Sequence, residues 1–133
     1  MFTLFNEDLH QLARTLLAEN RAFFARQWSQ EQLVSHQLER LKRTVLYVKT
    51  HSAFYGRQLE KMSIDDVEQL TFESFALLPF TDKADLRNNM FDMLSRPVSE
   101  AWIFYETTGT TGPSTPCPRD NTDSLYTPTW HSP

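Results

Sequence analysis

The chain is read as an α/β protein: a mostly helical N-terminal part, then a strand, a glycine loop and a second strand. Three observations predict this. Apolar residues recur at helical spacing behind residues suited to capping helices. Gly56 is the single glycine of residues 1–100. An aromatic run, Ala101-Trp102-Ile103-Phe104-Tyr105, precedes Thr107-Thr108-Gly109-Thr110-Thr111-Gly112, which holds the other two glycines. The expected regions are 1–100, helical; 101–119, strand–loop–strand; and 120–133, an irregular or frayed tail.

Asn6 is placed to cap a first helix, with Glu7 and Asp8 in its opening turn, where negative charge suits the helix dipole. Leu9, Leu12, Leu16 and Leu17 form its apolar stripe. Ser29-Gln30-Glu31-Gln32 has the form of a capping box. Val34, Leu38, Leu41, Val45 and Val48 then share one face of a helix that should end near Thr50. Arg40, Lys42, Arg43 and Lys49 mostly fall off that stripe and read as a solvated face. Phe54, Tyr55 and Leu59 suggest a short helix closing near Met62. Asp65 and Asp66 open a loop or helical turn, Thr71 caps a segment that Pro79 ends, and Thr81 caps the next helix. Pro97 closes the helical part. A strand is expected at Ala101–Tyr105. A second one, across Thr115–Arg119, is expected to be an edge or irregular because it holds Pro116 and Pro118. Asn121-Thr122-Asp123 could start a helix that Pro128 would interrupt.

The residues Thr107 to Gly112 carry the chemistry. Glycine lets the backbone turn through positive φ and approach a ligand closely. Successive amides in such a turn make a concavity for anions, and threonine hydroxyls add rotatable donors. A polyphosphate suits this pattern, and so does a plain hairpin loop. The segment is not a Walker A element, since Gly112 is followed by Pro113-Ser114, and it lacks the third glycine of a dinucleotide fingerprint.

The totals narrow the classes. With 133 residues, 40% of them hydrophobic, the chain has room for one ordinary domain. A net charge of −4 argues against nucleic acid as a partner. A single cysteine, Cys117, excludes an internal disulfide and any multi-cysteine zinc site. No apolar run reaches the length of a membrane span, and the N-terminus has no secretory pattern, so a cytoplasmic protein with no membrane partner is expected. His10, His36, His51 and His131 show no metal-ligand spacing. Asp82 and Asp85 read as cap and surface charges, and Trp28, Trp102 and Trp130 as packing residues. No catalytic residue and no metal site are assigned.

Three segments, taken in order, resemble a known family. His51-Ser52-Ala53-Phe54-Tyr55-Gly56-Arg57 resembles an S-P-F-Y-R element. Leu78-Pro79-Phe80-Thr81-Asp82-Lys83-Ala84-Asp85-Leu86-Arg87 resembles L-P-F-T-x-K-x-D-L-R nearly residue for residue. Thr107 to Gly112 resembles an S-S-G-T-T-G phosphate loop. Together they are similar to the N-terminal region of the phenylacetate–CoA ligase branch of adenylate-forming enzymes. The resemblance implies an ATP-dependent ligase, with magnesium, that joins a carboxylic acid, often aromatic, first to AMP and then to the thiol of CoA or a carrier protein. It also implies that Thr107, Thr108, Gly109, Thr110, Thr111 and Gly112 hold the β- and γ-phosphates.

The departures are specific. Threonines replace the two opening serines, Gly112-Pro113-Ser114-Thr115 moves the usual proline one place forward without a lysine, and Ala53 and Gly56 replace Pro and Arg. Family enzymes are several times longer, and their adenine, ribose and reacting-carboxylate groups find no matching positions here. The expectation is a truncated N-terminal piece, inactive alone. The competing readings are a non-catalytic helical interaction module, with a companion chain or self-association, and an unrelated nucleotide-binding protein using the same loop chemistry.

Overall fold

The computed structural model describes residues 6–25, 27–107 and 114–126. Helix α1 (Glu7–Phe24) starts where Asn6 Oδ1 accepts the Leu9 amide at 3.1 Å. Helix α2 (Gln30–His51) begins with the full capping box: Ser29 Oγ accepts from Gln32 N at 3.2 Å, and Gln32 Oε1 accepts from Ser29 N at 2.8 Å. At about 1.5 Å per residue α2 is the long strut of the fold. The Arg40–Glu19 ion pair (3.1 Å) ties it to α1.

Four short helices follow α2, and the first two pack against it. They are α3 (Ala53–Gln58), α4 (Ile64–Glu68), α5 (Phe72–Phe75) and α6 (Lys83–Asn88). Each opens on a side-chain cap: Ser52, Ser63, Thr71 and Asp82 respectively. Helices this short are marginal alone, so packing must hold them. The core joins Val45, Leu59, Val67 and Leu70, with Leu41, Val48, Tyr55, Met62 and Leu78 packed against it. The apolar face read from α2 is thus graded: Val45 is buried, whereas Val34 at the other end is 40% exposed. Gly56 fits α3 close to α2, because a Cβ there would stand 3.2 Å from the Lys49 carbonyl oxygen.

Two of the basic residues of α2 depart from the solvated face expected of them, whereas Arg43 is exposed as expected. Lys42 Nζ donates to the Glu68 carbonyl at 2.5 Å, and Lys49 Nζ to the Leu59 carbonyl at 2.7 Å. Both lysines reach carbonyls at the C-terminal ends of α4 and α3, where the helix dipole favours a cation. They clamp the short helices to the strut.

A further helix, α7 (Met90–Met93), and a 3-10 turn (Val98–Glu100) follow α6. The first strand, β1, spans Ile103–Thr107, two residues later than expected, because the 3-10 turn occupies the preceding chain and pairing extends to Thr107. The second, β2 (Thr115–Arg119), runs antiparallel to it, from Ile103↔Arg119 to Thr107↔Thr115. Pro116 and Pro118 do not break β2. They stand two residues apart, so both missing amides fall on the same side of the strand, which leaves the ladder to Thr115, Cys117 and Arg119. Helices α6 and α8 pack on β2. The latter helix, α8, spans Asn121–Tyr126 in the region expected to be an irregular tail; Asp120 Oδ1 accepts the Asp123 amide at 3.0 Å and gives it a start. No helix among the described residues is long and apolar enough to cross a membrane.

Candidate functional site

Thr107 is the last residue of β1 and lies opposite Thr115, the first residue of β2. Thr108, Gly109, Thr110, Thr111 and Gly112 lie outside the described residues. What the structure defines is the stem of the loop and its surroundings.

Those surroundings bring the first two motif segments together and set the second against Thr115. Tyr55, in the first, places its hydroxyl 3.2 Å from Thr81 Oγ1 in the second. Arg57 pairs with Asp92 of α7 at 2.5 Å, and Ser52 Oγ donates to the Asp92 carbonyl at 3.0 Å. The second segment then reaches the loop stem: Arg87 Nε donates to Thr115 Oγ1 at 3.3 Å. Thr115 is buried to 9% exposure. A chain of polar contacts therefore runs from α3 through the 78–87 segment to the base of the loop.

Helix α6 owes its start to a residue other than the one expected. Asp82, not Thr81, is the N-cap: Asp82 Oδ1 accepts from Asp85 N at 2.8 Å, and Asp85 Oδ2 accepts from Asp82 N at 3.1 Å. A carboxylate gains more than a hydroxyl at a helix N-terminus, because its charge also meets the dipole. Thr81 is left to face Tyr55. Asp82 and Asp85, read from the sequence as cap and surface charges, thus form a reciprocal capping box, and α6 holds Arg87 in its last turn.

Two cavities flank this arrangement. One, of about 390 Å³, is mostly apolar and opens between α2, α3 and the 75–81 segment, lined by Val45, Val48, Tyr55, Leu59, Phe80 and Thr81. The other, of about 410 Å³, lies at the end of the hairpin remote from the glycine loop. Its polar groups are already matched. Tyr47 OH donates to Ser95 Oγ at 3.2 Å, and Arg96 lies 3.2 Å from Asp120 and 3.7 Å from Glu100. The hydrogen bond that Arg96 donates to Tyr47, then the charge of Asp120, push the Arg96 guanidinium above its ordinary pKa. These charges brace the hairpin.

The remaining candidates resolve as packing and surface groups. His36 sits on Trp28 (ring centroids 4.5 Å), and His51 stacks on Tyr47 (4.4 Å). Cys117 is a free, exposed thiol on β2. His131 and Trp130 lie outside the described residues. Among the described residues no three His, Cys, Asp or Glu side chains converge on a metal-sized site. Sequence reasoning missed the meeting of Arg87 with Thr115. Its one signal was that the 78–87 segment ends on an arginine.

No family model matches the chain. It is similar, however, to two curated proteins. The phenylacetate-coenzyme A ligase of Thermus thermophilus is 37% identical over 86 residues, which cover 64% of this chain and 19% of that protein. The phenylacetate-coenzyme A ligase of Aromatoleum evansii is 32% identical over 88 residues, covering 65% of this chain and 20% of that protein. The chain thus matches about a fifth of the length of each relative, and its resemblance to phenylacetate–CoA ligases rests on aligned sequence as well as on the three motifs.

Proposed function

We propose that this chain carries the phosphate-gripping segment of an AMP-forming acid–thiol ligase. In the proposed reaction a carboxylate oxygen attacks the α-phosphorus of ATP, and the α–β bridging bond breaks to release pyrophosphate. A thiol of CoA or of a carrier protein then attacks the acyl carbon, and AMP leaves. The acid is taken to be aromatic, in keeping with the names of the relatives.

The observation that supports this reading is the similarity to two such ligases, together with the contact of the first two ligase-like segments and the bond from the second to Thr115, just past the third in sequence. Negative charge grows on pyrophosphate as it leaves, and preorganised donors aimed at growing charge are a major source of rate enhancement. Thr107, Thr108, Thr110 and Thr111 would supply hydroxyls, and Gly109 and Gly112 would open the backbone to the β- and γ-phosphates. Magnesium would neutralise part of the phosphate charge when bound. The described side chains offer no convergent ligand set for it, so no step is assigned through it.

The chain is not expected to complete the reaction alone. In this reading no residue is assigned to the adenine, ribose or reacting-carboxylate contacts. A carboxylate-dependent ATP–pyrophosphate exchange assay on the purified chain should show no turnover above the blank. Binding of ATP should be measurable by calorimetry and should weaken about tenfold in a T110A/T111A variant, which loses two hydrogen bonds to charged oxygens. Loop-dependent exchange activity would overturn the inactivity. ATP binding indifferent to Thr110 and Thr111 would remove the loop from the site.

A further inference from the structure

We propose that the outer edge of β1 pairs with itself: a second copy of this chain adds its own β1 antiparallel, and the two hairpins join into one sheet across a two-fold axis at Tyr105. The inference stands apart from the ligase reading and needs only the backbone of the hairpin.

Proline decides which edge of the sheet can grow. A proline cannot belong to a pair that exchanges two backbone hydrogen bonds, so Phe104↔Pro118 and Glu106↔Pro116 are non-hydrogen-bonded pairs of the ladder. Alternation then turns the amides and carbonyls of Ile103 and Tyr105 toward β2, and those of Phe104 and Glu106 away from it. On β2 the same alternation points Pro116 and Pro118 outward. That outer edge has lost both donors, and α6 and α8 pack on the strand. The outer edge of β1 keeps the donors and acceptors of Phe104 and Glu106, and among the described residues no strand or helix takes them. Such an edge is a template for another strand.

Three registers place a two-fold axis on this edge. With Phe104 opposite its own copy, the next bonded pair would need Trp102, whose amide already donates to the Arg119 carbonyl at 3.1 Å. With Glu106 opposite its own copy, two carboxylates face each other, which is unfavourable. With Tyr105 opposite its own copy, each Phe104 meets the Glu106 of the other chain in a hydrogen-bonded pair, and every outward donor and acceptor is used. The two Tyr105 rings then meet at the close, non-hydrogen-bonded position, where aromatic cross-strand pairs stabilise a sheet. Tyr105 and Phe104 are both about half exposed and have area to bury. Glu106, the one charged residue of β1, stands beside Phe104 and not beside its own copy. The strand is thus complementary to itself, and that singles out a second copy over an unrelated strand.

The test uses the full chain, followed by sedimentation equilibrium over a wide concentration range, with thermal melts of every variant. The wild type should dimerise. E106P removes an amide that faces away from β2, so its melting temperature should hold while dimerisation weakens about tenfold or more, half of the new backbone bonds being lost. E106Q keeps the amide and should dimerise at least as well as the wild type. Single cysteines in a C117S background read the register and keep the proposal testable should E106P not fold. With oxidised glutathione, Y105C/C117S should link two chains, whereas F104C/C117S and E106C/C117S should not, since only position 105 faces its own copy. Preferential linking at 104 or 106, a dimer untouched by E106P, or a dimer lost in L77S/F80S overturns the proposal. A wild-type chain that stays monomeric at high micromolar concentration overturns it too, and leaves the edge to a strand of another protein.

Discussion

Val67 and Phe80 mark the extremes of what a side chain does in this protein. Val67 is 2% exposed at the centre of the core, and Phe80 is 91% exposed although it belongs to the most specific sequence element. Cutting Val67 to Ala removes two buried carbons and leaves a cavity, at a cost of about 2 kcal/mol. Chemical denaturation should show that loss as a lowered midpoint at an unchanged slope. Ser52 is the polar counterpart. It is 2% exposed, accepts the Tyr55 amide at 3.4 Å and donates to the Asp92 carbonyl at 3.0 Å. S52A removes both the α3 cap and the link to α7, so a loss of about 1–2 kcal/mol is expected in the same measurement. A neutral S52A would mean that α7 is held by other contacts.

Helix starts were the most legible elements in the sequence, because a cap is a local bond between residues three apart. Asn6, Ser29 and Thr71 all cap as their spacing suggests. The shift from Thr81 to Asp82 shows the limit of such reading: adjacent residues can both cap, and the neighbour Tyr55 settles which does. Helix α7 could not be read, since it has no side-chain cap bond and depends on Ser52 and Arg57, both distant in sequence. The meeting of Arg87 with Thr115 was not legible, since twenty-eight residues separate the two. Capping also makes α4 pH-sensitive. Backbone and hydroxyl donors of Ser63 hold the Asp66 carboxyl below its ordinary pKa. A depressed folded-state pKa means that the cap contributes fully above the ordinary carboxylate range and is lost as pH falls through the lowered value. Titration followed by carboxyl ¹³C NMR should place Asp66 below a free aspartate. Exchange of the Val67 and Gln69 amides should speed up as Asp66 protonates, and D66N should abolish that pH dependence.

Taken whole, the described chain has a narrow core and a broad apolar surface. Few apolar side chains are buried below a tenth of their area, whereas Leu77 and Phe80 are 85% and 91% exposed and Phe91 is 69% exposed. The two strands form a sheet by themselves, and a sheet of two strands is marginal without further packing. Matching only about a fifth of each relative's length, the chain has little volume in which to cover these residues. Leu77 and Phe80 therefore bury little of their area. The double variant L77S/F80S should keep stability within about 0.5 kcal/mol, as expected where little area is buried. Light scattering should show that it stays free of assemblies larger than the dimer to higher concentration than the wild-type chain, because two exposed apolar side chains have been removed. Those two measurements separate the causes. A large loss of stability would show that Leu77 and Phe80 are covered in solution by this chain itself. Unchanged association at full stability would move the sticky surface elsewhere, with Phe104 and Tyr105 on β1, each about half exposed, as the next residues to change.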